Sequence, residues 1–467
     1  MIRKAFLIAF AALLLLSGCR PGITMRDGNP EITTWAGFFS SWWSGMNANY
    51  VFWDLDSPGN EWDTVYEETL PKMERYGVIG SSAASDKAAI RDLYDIVKTL
   101  KDGHYVLTIS NGKGITGNFR PVYCRVMRNA GMTDDEIFEA QLTPSPETYS
   151  RLIEESDFHS ENTAAIMERV FGIAGASGTA GLSRGFGPAE GGPAHYFSRA
   201  GYVKTPPGLM IGEESVGDFS LFVGMTDDDI LYLGFSGFSL SAFVDDATQN
   251  GDDADAWSLR VYDLVKEYAS IILDYENGKA DLGGIIIDLR GNGGGDPMDF
   301  SLLWSPLLPE DLTVARIRIK TSDNRLSYSL WHDMEIEGRS ANGSGKALKL
   351  PIAVLVNPRS VSCSEISTMV FMAMRDTYGA DVRIIGGTTA GGNGPLAANE
   401  ILNAGTFQVG ESRTRCAGIE LRYIDGRSFE GIGIAPDIPV SFNYGSFMSG
   451  TDARLRVAFD SIRSRMY

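Results

Sequence analysis

The stretch Gly283-Gly284-Ile285-Ile286-Ile287-Asp288-Leu289-Arg290-Gly291-Asn292-Gly293-Gly294-Gly295 runs from an apolar segment into a run of glycines. Three consecutive isoleucines without polar alternation mark a strand covered on both faces, the kind found inside a parallel sheet. The glycines after it let backbone N–H groups come close to a ligand. A second apolar strand, Ile352 to Val356, leads into Asn357-Pro358-Arg359-Ser360-Val361-Ser362-Cys363-Ser364-Glu365 and then a helical pattern up to Arg375. A serine at a strand-to-helix turn is well placed as an exposed nucleophile, because a helix N-terminus favours developing negative charge.

Working outward from this pair, strands are expected at 230–235, 381–386, 406–410 and 417–424, with helices at 257–276, 364–376 and 451–463. Strands alternating with helices give an α/β core beginning near Asp228. From Trp35 to about Leu100 the pattern is helical and rich in aromatics, including Phe38, Phe39, Trp42, Trp43, Trp62 and Tyr66, which read as core and interface packing. The middle of the chain is less patterned. Helices are expected at 134–141, 146–157 and 161–172, followed by a Gly-, Ala- and Ser-rich loop over 174–192.

The formal net charge is −19 over 467 residues. A chain this acidic lacks the basic footprint that nucleic acid requires, so no nucleic-acid partner is expected. At the N-terminus, Arg3 and Lys4 precede an apolar run from Ala5 to Leu16 that is short for a membrane span and ends in Leu16-Ser17-Gly18-Cys19. This looks like a bacterial lipobox. It implies cleavage before Cys19, lipidation of that cysteine and an extracytoplasmic protein held at the cell envelope. Removal of residues 1–18 would take away Arg3 and Lys4 and leave a net charge of −21. Cys124, Cys363 and Cys416 would then remain, an odd number that does not suit a disulfide scaffold. No residues cluster with metal-ligand spacing, and neither metal nor cofactor is expected.

The glycine turn and the serine cluster together resemble the tail-specific (C-terminal processing) and tricorn-type serine peptidases. The resemblance extends to Ile384-Ile385-Gly386-Gly387-Thr388-Thr389-Ala390-Gly391-Gly392, to the segment from Glu430 to Val440, and to Leu100-Lys101-Asp102-Gly103-His104, about three fifths of the chain in all. It implies a crotonase-like (ClpP-type) α/β peptidase core over 226–467 and an N-terminal helical domain over 35–114. Between them, 115–225 would be an insert or a diverged PDZ-like module, with a signal at 1–19 and a tether at 20–34. The carboxylate-binding loop of a PDZ domain is not recognisable.

The same resemblance makes Ser362, three residues before Glu365, the nucleophile, acting on protein or peptide substrates. Tail-specific members use a lysine as base, but Gly392 stands at that position and no lysine follows Lys349. The tricorn-type branch uses a histidine, which matches His104, titrating near the ordinary value of about 6.5, with Glu430 as the orienting carboxylate and Glu420 as its rival. Tricorn itself has serine before the histidine; here it is Gly103. The oxyanion would be held by Cys363 N–H and by Gly294 or Gly293 of the glycine turn. Other readings of the same residues are capping of the helix by Ser360, Ser362 or Ser364, most naturally Ser364, and a thiol nucleophile at Cys363. At the level of the whole chain, the alternatives are an esterase-like hydrolase and a ligand- or peptide-binding protein on the same fold.

Overall fold

A computed structural model describes residues 32–56, 61–129, 131–142, 161–173, 183–184, 196–211, 214–338, 348–396 and 405–466. The signal, Cys19, His159, His195, the helix expected at 146–157 and most of the loop at 174–192 lie outside the described residues.

The architecture is mixed α/β around an eight-stranded sheet. Its parallel part runs Ile438–Pro439, Val382–Gly386, Ile352–Val356, Gly284–Asp288, Ile230–Phe235. Ser220–Met225, Arg199–Lys204 and Ser183–Arg184 then continue it antiparallel. The sheet thus takes in residues on both sides of position 226. The expected strand at Ile285–Ile287 lies at the centre, with Ile285 beside Ile352 and Ile287 beside Val354. All five residues of Gly284–Asp288 and all five of Ile352–Val356 are buried, as two covered faces require.

Helices Ala256–Glu276 and Cys363–Tyr378 cover one face through Val261, Leu264, Tyr268, Met369 and Phe371. Helices Ala453–Arg463 and Thr163–Arg169 cover the other through Leu455, Phe459, Ile166 and Met167. The N-terminal aromatics form a separate core that includes a Trp43–Trp62 stack with ring centroids 3.9 Å apart. A four-stranded sheet ties the N-terminal region to the C-terminal half. In it, Val106–Ser110 pairs with Thr116–Phe119 on one side and with Ser412–Arg415 on the other. Among the described residues no helix is long and apolar enough to cross a membrane.

Candidate active site

The parallel strands all point their C-terminal ends toward one edge, where ligands collect on open α/β sheets. The glycine turn leaves Gly284–Asp288 and the serine turn leaves Ile352–Val356 on adjacent strands, so both turns meet there. Ser362 is the residue before helix Cys363–Tyr378, with φ 60° and ψ −123°, and its side chain caps nothing. It is one of two non-glycine residues with positive φ among those described. Its flanking serines have structural roles. Ser360 Oγ donates to Leu289 O at 2.7 Å, and Ser364 Oγ donates to Asn292 O at 2.8 Å. Capping by Ser364 is therefore not what its hydroxyl does; it fastens the helix start to the glycine turn.

The glycine turn fits closely against the serine. A methyl group on Gly294 would sit 2.5 Å from Ser362 Cβ and 3.0 Å from both Ser362 Oγ and Cys363 N. With φ +90°, this position favours glycine on conformational grounds too. The Gly294 N–H donates to Asn292 Oδ1 at 2.9 Å. Gly293 is exposed, and nothing lies within 4 Å of where its Cβ would be. Cys363 N–H stands in the first turn of the helix, where no preceding helical carbonyl reaches it. Burial pushes the Cys363 thiol up to about 12, and its Sγ contacts Gly295 O at 3.0 Å, so the side chain is a poor nucleophile.

His104 enters from the N-terminal half. Asp102 Oδ1 accepts from His104 N at 2.7 Å, and Asp102 Oδ2 accepts from Ala417 N at 2.8 Å. Gly392 joins this segment to Ser362. Its carbonyl accepts from Ser362 N at 2.9 Å, and a Cβ on it would lie 3.0 Å from Val361 Cγ2 and 3.1 Å from Gly103 Cα. In turn, a Cβ on Gly103 would lie 2.4 Å from Gly392 Cα. The two departures from the family pattern, glycine for serine at 103 and glycine for lysine at 392, are thus one packing solution. The backbones touch where side chains would otherwise stand.

His104 Nδ1 is buried with no partner, and burial, helped by the nearby Arg415 charge, lowers the imidazole to about 4. It is therefore neutral at physiological pH and able to take a proton, and it lies well below the ordinary value of about 6.5.

Glu430 is buried, and its contacts are to backbone amides. Oε1 accepts from Gly103 N at 2.7 Å, and Oε2 accepts from Asn393 N at 2.9 Å and Gly394 N at 2.8 Å. It orients the segment that bears His104 through the Gly103 amide. Glu420, its rival, faces Arg318 at 2.6 Å and Arg422 at 2.8 Å. Glu365 shares the loop: its carboxylate accepts from Thr389 Oγ1 at 2.6 Å, Gly391 N at 2.9 Å and Gly392 N at 2.6 Å. Burial raises Glu365 and Asp102 to about 7 each, and raises Glu430 as well.

Below the turns lies an ion network that the sequence did not disclose. Arg290, wholly buried, pairs with Asp288 at 2.5 Å, with Asp452 at 2.7 Å and with Glu161. Glu161 also pairs with Arg454. Asn357 Nδ2 donates to Glu161 O at 2.8 Å, while Asn357 Oδ1 accepts from Gly291 N at 3.0 Å. The network locks the two turns to each other.

A mixed α/β sheet carrying a serine at a strand-to-helix turn, set against a glycine turn, is an arrangement suited to a serine hydrolase nucleophile. The sequence model of peptidase family S41 matches residues 255–440, spanning both turns and the Glu430 segment, in keeping with the resemblance to tail-specific and tricorn-type serine peptidases. A nisin-resistance protein from Lactococcus lactis subsp. lactis is 28% identical over 140 residues, 28% of this chain. The match spans 40% of that relative's length. A crystal structure from Parabacteroides merdae, assigned as a peptidase, superposes with a TM-score of 0.54 at 16% identity, over 92% of this chain and 97% of the other. A lipoprotein from Streptococcus agalactiae covers 92% of this chain and 97% of its own, at 14% identity and a TM-score of 0.39.

Proposed function

We propose that the protein is a serine endopeptidase that hydrolyses peptide bonds through an acyl-enzyme on Ser362, on a crotonase-like core. The observation that carries this reading is the contact set of Ser362: a left-handed serine at a helix start, against Gly294 on one side and the Gly392–Gly103 contact on the other. His104 takes the Ser362 proton as the hydroxyl attacks the substrate carbonyl, then returns a proton to the leaving amine. Glu430 holds the histidine-bearing segment in place through Gly103 N–H. Cys363 N–H stabilises the oxyanion, and Gly293 N–H is the better second donor, since the Gly294 amide is engaged by Asn292.

Reaction with a fluorophosphonate, followed by peptide mapping, tests this. Modification at Ser362, abolished in Ser362→Ala and strongly slowed in His104→Ala, is the expected result. A folded protein that is not modified would favour a binding function on the same fold. For location, the reading is a lipid-anchored, extracytoplasmic envelope protein with its lipid on Cys19, supported by the Leu16-Ser17-Gly18-Cys19 pattern. Mass spectrometry of the membrane-extracted protein should find a diacylated or triacylated Cys19 at the mature N-terminus. An unmodified Cys19 would overturn the anchor.

A further inference from the structure

The sheet that contains the strand following His104 carries arginines on its outer face, on both sides of that strand. Along Val106–Ser110, Leu107 and Ile109 are buried in the N-terminal core and Thr108 is exposed on the opposite face, while Val106 on that outer side is itself buried. Its partner Ser412–Arg415 alternates in the same way, burying Ser412 and Thr414 and exposing Arg413 and Arg415. The register puts Arg415 beside Val106 and Arg413 beside Thr108. On the opposite flank Leu107 pairs with Phe119, so Arg120, the next residue, lies beside Val106 as well. Arg415 and Arg120 therefore flank the residue two positions after His104, and Arg413 lies one step further along.

These cations are poorly compensated. Arg120 donates to Asn118 Oδ1 at 2.8 Å and to Tyr123 Oη at 3.3 Å. Among the described residues neither it nor Arg413 nor Arg415 forms an ion pair, although the chain has 60 acidic residues to 41 basic ones. After burial, the largest influences on Arg415 are Arg120 and Arg413, which lower its proton affinity by like-charge repulsion, with Asp102 a smaller influence in the opposite sense. The strands of this sheet contain no acidic residue. Glu411, in the hairpin between Thr406–Val409 and Ser412–Arg415, bonds Ser110 Oγ at 3.2 Å at the end far from His104. Uncompensated like charges held on a rigid face beside a reaction centre are stabilised by an anionic ligand.

We propose that this face, carrying Arg120, Arg413 and Arg415 beside His104, is a specificity surface that receives an extended acidic peptide. Arg413 and Arg415 are two residues apart on one strand, about 6.8 Å, which is the spacing of alternate side chains in an extended peptide. The surface therefore suits substrates with Glu or Asp at alternate positions next to the scissile bond. In a chain of net charge −19 the rest of the surface repels such peptides, so the strip acts as a local selector.

The inference rests on the peptidase reading for its meaning, but it is tested by binding. In the Ser362→Ala protein, fluorescence anisotropy compares peptides of equal length carrying alternating Glu, Gln or Lys. The Glu peptide should bind roughly tenfold tighter than the Gln peptide at low salt. The advantage should shrink severalfold at about 0.5 M salt. Arg413→Glu with Arg415→Glu in the same background should reverse the order in favour of Lys. Arg413→Gln with Arg415→Gln should abolish the preference, with an unchanged unfolding midpoint showing that the fold is intact. Equal binding of the Glu and Gln peptides, or a Glu preference that survives the double reversal, would overturn the proposal. Fluorophosphonate modification of the wild type reports separately on Ser362. Its failure alongside an intact acidic preference would place the error in the peptidase reading and leave the strip standing.

Discussion

Replacing Ser362 by glycine should make the protein more stable than replacing it by alanine, although both variants lose the nucleophile. Ser362 has φ 60° and ψ −123°, a region that L-residues avoid because Cβ crowds the backbone. Holding a non-glycine residue in such a region costs on the order of 1–3 kcal/mol. Alanine keeps the Cβ and hence the strain. Glycine removes it but adds about 0.5–1 kcal/mol of chain entropy to the unfolded state. The difference leaves the glycine variant about 1 kcal/mol more stable than the alanine variant, within a range of roughly 0–2.5 kcal/mol. Urea unfolding followed by tryptophan fluorescence measures this, with equal slopes confirming that the same surface is exposed in both. The absence of activity in either variant removes substrate effects from the comparison. A glycine variant no more stable than the alanine variant would show that the turn is relaxed, and that the close fit to Gly294 does not force the serine into this conformation.

Further outcomes follow from the buried titrating groups and from the Gly103–Gly392 contact. Because burial holds His104 near 4, the acid limb of kcat/KM should fall as pH drops through about 4, and a limb at 6.5 or above would mean that the imidazole is not desolvated in the working enzyme. The same depressed pKa gives a share of stability present above about 6.5 and lost as pH falls through about 4. Asp102 and Glu365 act with the opposite sign: raised from 3.8 and 4.5 to about 7, they favour the fold at low pH and lose that share as pH rises through about 7, so Glu365→Gln should flatten the decline in Tm there. Gly103→Ser and Gly392→Lys, each restoring a family residue singly, should reduce activity by about tenfold or more through displacement of His104 relative to Ser362; wild-type turnover in either variant would show that the Gly103–Gly392 contact has slack.

Much of this protein was legible one segment at a time. Ile285–Ile287 and Ile352–Val356 announce covered parallel strands by composition alone, and the helix after Cys363 is legible from its periodicity and its position after the serine turn. What could not be read depends on contacts between distant segments. Glu161 belongs to a stretch that looked only helical, yet it answers Arg290, 129 positions away, and Arg454, 293 positions away. Nothing local distinguishes it from a solvated surface glutamate. The sequence shows Gly103 and Gly392 as two separate departures from a pattern, and only their backbone contact shows that each glycine makes room for the other. Likewise Arg120, Arg413 and Arg415 are scattered ordinary arginines until strand register sets them side by side. Periodicity and composition report which surfaces a segment must bury, whereas the partners that meet across those surfaces are chosen by how the whole chain closes on itself.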